Sequence, residues 1–587
     1  MNARRAYHWR HDPKRSPRHR RPRPACSRPV SIPDEQVLQL TALVDASGAL
    51  EQIDARIGQR PGPAGLPART ILVGLLLALY HRGKANLDDV SELLHLSLSA
   101  RMRALLGVQA IDGNDSCSTR AAYARCTRAF DAITTAFDPQ RHDRRRRLSR
   151  ERCEAVAAAW EDPANAETVH ALETLANTLI QSTVTVAVNR RLLRHWPGDI
   201  GIDATPAPAW GQPPSRRRGP LDIGAGWYRK GGKKEFEWAY SLTLAITGHG
   251  DPAAADRYPQ LCLSMQMHRP SRQTGPAAIK ALLSLEHFAF RKGYLAVDRA
   301  YPQCEPTDFQ MPARELGYKL LLDYDVTAHR SQGSTLGATW RGGQLYCPAL
   351  PNRLRDAGML LRKRATADEI ERGKRLVQEA DVYRMHLKES TRPDGTYRVA
   401  CPAASPSPTV TCPRAEARGD KRRPAPRTVD LNNRRARLSH PVTLLRVQPK
   451  DEPDSAWPTC CTQASITVLP TDNAKYAQAL AHGTSAWLTS YKSIRAQNEG
   501  ANGWLKGIDT CIATAKHRLA RGRVAQTLLL ALTIAITNLR RLEQFLRDRY
   551  EDPAALLDHL LPEDHDASSN HDAEITRDTP GTAPPTS

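Results

Sequence analysis

Asp203, Asp298 and Glu499 are the residues of this chain whose types and surroundings could together hold divalent metal ions. Cutting a phosphodiester without a covalent enzyme intermediate needs a nucleophilic water or hydroxyl and a stabilised leaving oxygen. Two cations roughly 3.5–4 Å apart supply both, and hard carboxylate oxygens hold Mg2+ or Mn2+. Asp203 follows Ile200-Gly201-Ile202, and Asp298 follows the apolar run 294–297. Each run predicts a short buried strand closed by an acid. If the two strands are neighbours, both acids emerge on one edge of a sheet. An acid in that position is costly unless it is paired or metal-bound. Taken singly, each is equally the ordinary turn or capping aspartate found at most strand ends.

The third acid lies on a predicted helix over 484–506. Arg495, Glu499, Asn502 and Lys506 fall at i, i+4, i+7 and i+11, so they share one face. A carboxylate flanked by cations along one stripe can hold a metal while the cations grip phosphates. A solvated face with an Arg–Glu pair gives the same spacing.

These segments together resemble bacterial insertion-sequence transposases of the DDE superfamily. Arg495, three residues, Glu499, six residues and Lys506 match the intervals of that group's Tyr-Arg-Glu-Lys signature; Tyr491 stands one residue further from the arginine than usual. Val297-Asp298-Arg299-Ala300-Tyr301 resembles the second-acid motif, and Ile202-Asp203-Ala204-Thr205 the first. The resemblance extends in organisation over roughly 30–546 and is specific at these three motifs. It implies an RNase H-like core holding two Mg2+ (or Mn2+) through Asp203, Asp298 and Glu499, with Tyr491, Arg495 and Lys506 on DNA. It further implies cleavage at the ends of an element and strand transfer into target DNA, by a dimer assembled on terminal inverted repeats.

The elements that must position these residues can be read along the chain. From 199 onward the order is strand (200–205), strand (235–247), strand (261–268), helix (276–290), strand (294–298), helix (312–317), strand (319–323). That is the order of an RNase H-like mixed sheet. Residues 31–198 predict an all-helical region, with a possible DNA-binding helix-turn-helix near 87–106, where Val90, Leu93 and Leu94 make the buried face. A plain helical bundle satisfies the same pattern. Residues 326–480 interrupt the core as an insertion, with a flexible stretch at 402–437. The core then resumes over 481–550, with helices at 484–506 and 522–546. Residues 1–30 read as a disordered basic arm and 551–587 as a disordered tail.

Net charge is +22 over 587 residues, which points to a polyanionic partner, nucleic acid before membrane. The apolar run 71–80 is too short to span a bilayer. The run 524–539 carries Gln526, Thr527, Thr533, Thr537 and Asn538, as a buried core helix would. Twelve cysteines without a regular framework fit a reducing cytoplasm. A cytoplasmic protein, nucleoid-associated on DNA and outside the membrane, is expected.

Several residues compete for roles. Asp199 has the position of a cap or turn acid, Asp323 and Asp325 of auxiliary ligands, and Trp504 of a core residue or a base-stacking platform. Cys347, Cys401, Cys412, Cys460 and Cys461 lack CxxC spacing, so buried thiols are expected over zinc. Gly224, Gly226, Gly231 and Gly232 among Arg229, Lys230, Lys233 and Lys234 suggest a basic β-hairpin, and no ATP-binding loop is present. Three rival functions remain open: an inactive or domesticated DNA-binding protein of the same fold, an RNase H-like nuclease without strand transfer, and a regulator acting through the helix-turn-helix.

Overall fold

The computed structural model describes residues 31–58, 65–142, 146–216, 218–229, 235–329, 332–361, 365–420, 444–507 and 512–549. The basic arm and the tail lie outside the described residues. So do 230–234 and part of the basic run 141–152.

Six strands make one mixed sheet: β1 (Ile200–Pro208), β2 (Gly226–Arg229), β3 (Phe236–Thr247), β4 (Cys262–His268), β5 (Tyr294–Val297) and β6 (Lys319–Leu322). β1 is central, antiparallel to β3 on one side and parallel to β5 on the other, and β6 continues the parallel half. β3 is long enough to hold both β2 and β4 along its far edge. The predicted runs 235–247, 261–268, 294–298 and 319–323 each agree with a strand to within one residue. Of the hairpin expected among the basic glycines, the flanking strands are present as β2 paired with the start of β3, and 230–234 lie outside the described residues.

One expectation is corrected. The first strand does not end at Asp203 but runs to Pro208, because β3 keeps pairing with it as far as Ala239. What ends beside Asp203 is the parallel ladder to β5, whose last pair is Ile202 with Val297.

Side chains alternate across a strand, and the sheet uses both faces. Ile200, Ile202, Leu295, Val297, Leu320 and Leu322 point into the main core. Ala296 and Leu321 face the other way, onto Trp487 and Ile494. The main core is completed by α1 (Ala68–Arg82), α2 (Ser116–Ala136), α3 (Ala166–Asn189), α4 (Thr274–Leu283) and α6 (Arg523–Arg547), while α5 (Ser485–Leu505) covers the opposite face. The 524–539 run is buried throughout as part of α6. Among the described residues no helix is long and apolar enough to cross a membrane.

The outer edge of β4 would expose backbone groups. Two buried asparagines close it instead. Asn177 Oδ1 of α3 accepts from Met265 N at 2.8 Å. Asn538 of α6 accepts from Cys262 N at 2.9 Å and donates to Cys262 O at 2.8 Å. The helices thus remove the unpaired edge that would invite strand addition.

In the N-terminal region Leu87–Glu92 continues into a single π turn, Leu93–Ser97, and Ser99 caps a six-residue helix, Ala100–Leu105. Val90, Leu93 and Leu94 are buried as expected, and Gly74 of α1 leaves room for Val90 and Leu94.

Between β6 and α5, the insertion packs two small apolar clusters of its own. Its sheets are short, including an antiparallel trio of His386–Glu389, Tyr397–Ala400 and Ser465–Val468. The flexible stretch expected from 402 is corrected over 402–420. Ala403, Ala404, Ser405, Cys412, Arg414 and Ala415 are buried there, because the segment is tied into the insertion's own cluster. Residues 421–443 lie outside the described residues.

Candidate active site

The alternation that builds the core also places the acids. Asp203 shares a face with Gly201, Asp298 with Ala296, and Asp323 with Leu321, and this is the face that α5 covers. Because Ile202 pairs with Val297 on adjacent parallel strands, Asp203 and Asp298 stand side by side, with backbones on the order of 5 Å apart.

The Asp203 side chain is only 16% exposed. Burial pushes its carboxyl above the usual range. Arg495 opposes that shift, and the neighbouring charge of Asp298 reinforces it. Ala204 N donates to Asp203 Oδ1 at 3.0 Å and Asn502 Nδ2 to Oδ2 at 2.9 Å. Asp298 Oδ1 accepts from Ala300 N at 3.0 Å. Two tyrosines that sequence reasoning left unassigned border the pair. Tyr228 Oη donates to Ala204 O at 2.9 Å, and burial, Asp203 and Asp298 push its hydroxyl up to about 12. Tyr301 is fully buried, and burial and the same two charges push it far up.

α5 begins at a Thr484 cap, where the hydroxyl accepts from Trp487 N at 3.3 Å. Its approach to the sheet depends on a missing side chain: a Cβ on Gly201 would meet Asn498 Nδ2 at 2.9 Å. Arg495 lies between two acids, 3.7 Å from Asp203 Oδ2 and 3.8 Å from Glu499 Oε1. Glu499 itself is 72% exposed. Lys506, just past the helix, is exposed and acts on Asp203 through its charge. Tyr491 is turned inward: it stacks on Trp487 at 4.5 Å and donates to Val297 O at 3.3 Å. It therefore braces the strand that carries Asp298. Trp504 packs against the core under Arg541, whose guanidinium lies 3.5 Å from the ring centroid.

The competing acids separate clearly. Asp323 is held by Arg299 at 2.7 Å and His482 at 3.3 Å, so it anchors the residue after Asp298. Asp199 lies near the other end of β1, where its carboxylate accepts from Tyr294 N at 2.7 Å and Gly250 N at 2.8 Å. This is the turn role expected for it. Asp199→Ala leaves two donors without acceptors and should lower unfolding free energy by about 2–3 kcal/mol, read as an earlier midpoint in urea.

Among the described residues no three Asp, Glu, His or Cys side chains already stand at metal-ligand spacing. The donors near Asp203 nonetheless suit a hard cation. Two adjacent carboxylates repel one another, and the Oδ1 of Asn502 is buried without a hydrogen bond, so the set is all oxygen. Glu499 completes it only by leaving Arg495.

No protein-family model, curated protein or solved structure matches the chain.

Proposed function

We propose that this chain is a DDE-type DNA transposase with an RNase H-like catalytic core. The strand order β4-β3-β1-β5-β6, antiparallel in its first half and parallel in its second, supports that core. The single observation that carries the reading is the convergence of Asp203 and Asp298, from adjacent parallel strands, beneath the helix that bears Arg495 and Glu499 and ends at Lys506.

In this reading Asp203, Asp298 and Glu499 hold two Mg2+ or Mn2+ ions, which supply an activated water or hydroxyl and neutralise the leaving oxygen. The protein's own groups do the positioning. Asn502 fixes the Asp203 carboxylate, and Tyr491 braces the strand end before Asp298. Arg495, released from its two acids, and Lys506 grip phosphates of the transferred strand. The partners are the terminal inverted repeats and target DNA, held by a homodimer.

The test uses the full chain with Mg2+ or Mn2+ and duplex DNA ending in the inverted repeats that flank its gene. Cleavage at the repeat ends, followed by joining of the freed 3′-hydroxyl to a second duplex, is the expected result. One observation favours a second reading, a DNA-binding protein without turnover: Arg495 lies between Asp203 and Glu499. Binding of the ends with no cleavage in either metal establishes that alternative, and cleavage without joining identifies a nuclease.

A further inference from the structure

The insertion gathers five cysteines that are far apart in sequence. Cys347, Cys401, Cys412, Cys460 and Cys461 line one small void of about 10 Å³, together with Arg414 and Arg418. All five are buried and none is in a disulfide. A void of that size admits one water-sized guest, so a single ion fits and a four-iron cubane does not.

The backbone around the thiols is built in a repeated way. Cys347, Cys401 and Cys412 each stand on the first residue after a strand: Gln344–Tyr346, Tyr397–Ala400 and Val410–Thr411. Each is followed by proline, at 348, 402 and 413, which ends strand pairing and turns the chain. Cys460 and Cys461 come from a one-turn helix, Thr459–Thr462, on the far side of the void. The two small clusters of the insertion meet there, since Cys347, Cys401 and Cys412 belong to one and Cys460 and Cys461 to the other.

We propose that this void is a structural zinc site, in which Cys347, Cys401, Cys412 and one of the Cys460–Cys461 pair bind Zn2+ as thiolates. Tetrahedral tetrathiolate coordination is the preference of zinc, and a closed four-sulfur set leaves no open position for chemistry. Binding releases the thiol protons to solvent and changes no oxidation state. The thiols must still close in, since they do not yet stand at ligand spacing; a Zn–S bond is about 2.3 Å. Arg414 and Arg418 in the lining offset the negative charge of a tetrathiolate. A subdomain with strands this short buries little apolar surface, and a metal staple is the usual remedy. The site is independent of the acids on the sheet.

The test is metal analysis of the full chain, purified under reducing conditions, followed by cobalt substitution. Expected are one zinc per chain and, with Co2+, the visible d–d bands and near-ultraviolet charge transfer of a tetrahedral thiolate site. Cys412→Ser and the double variant Cys460→Ser/Cys461→Ser should lose both signals, whereas Cys262→Ala, outside the cluster, should keep them. The wild-type cobalt spectrum and its reversal by chelator stand even if a variant misfolds. Chain purified free of zinc that gives no cobalt spectrum and has five freely alkylating thiols overturns the proposal. So does iron with inorganic sulfide, or a disulfide within the cluster.

Discussion

Asp298→Asn is expected to lower Mg2+-dependent cleavage of element ends by at least roughly 10³-fold, about 4 kcal/mol of barrier, while end binding in a gel-shift assay is retained. The asparagine keeps the shape and the acceptor for Ala300 N but removes one of the two adjacent charges that call for a cation. Asp203→Asn should abolish cleavage equally, and its stability signature differs. The Asp203 carboxyl is pushed up by burial and by Asp298, so the folded state disfavours its ionised form. A group with a raised folded value contributes stability that is present at low pH and lost as pH rises through that value. At pH 7, in chelator, Asp203→Asn should therefore melt higher than the parent, and the gap should close on acidification. If Asp203 is a metal ligand, as proposed, adding Mg2+ should stabilise the parent and leave the variant unchanged. Glu499→Gln should be as inactive, with little change in melting, because Glu499 is 72% exposed. A variant of Asp298 that still cleaves the ends would sink the metal-site reading.

The sequence was most legible where local chemistry and long-range structure agree. The runs behind β3 to β6 are largely apolar, with β-branched residues concentrated in β3, and the structure reproduces them. The end of β1 was illegible, because what extends it past Asp203 is pairing with a long β3, a tertiary fact. Spacing places Arg495 and Asn502 on one face of α5, and both reach Asp203, yet spacing alone could not show that face seated by Asn498 over Gly201. Nor could it show Tyr491 turned toward Trp487. Cysteine spacing pointed to buried thiols, and the five are buried and free, yet it could not show that they meet across the insertion, where the local pattern is a thrice-repeated Cys-Pro at strand ends.

Gly201→Val tests the link between fold and site most severely. Valine is favoured in strands over glycine, a preference worth up to about 1 kcal/mol. Against this stands the fit of α5. Its Cβ alone would lie 2.9 Å from Asn498 Nδ2 and 3.1 Å from Asn498 Cβ and Cγ, and two further methyls tighten that contact. Overpacking of this kind costs about 1–3 kcal/mol, so a net loss of stability is expected. The larger effect should be on activity. Displacing a catalytic group by about 1 Å can cost roughly 10²-fold, and lifting α5 moves Arg495, Glu499 and Asn502 away from Asp203 together. Adding Asn498→Ala to Gly201→Val should restore part of the lost cleavage, because it removes the closest atom, Nδ2, and Cγ, while Cβ at 3.1 Å stays and the acids are untouched. Gly500→Ala and Gly503→Ala provide the control on the same helix. A Cβ at either position meets nothing within 4 Å, so each should raise stability by about 0.5–1 kcal/mol through helix propensity. Full cleavage by Gly201→Val would mean that the seating of α5 on β1 does not set the geometry of the acids.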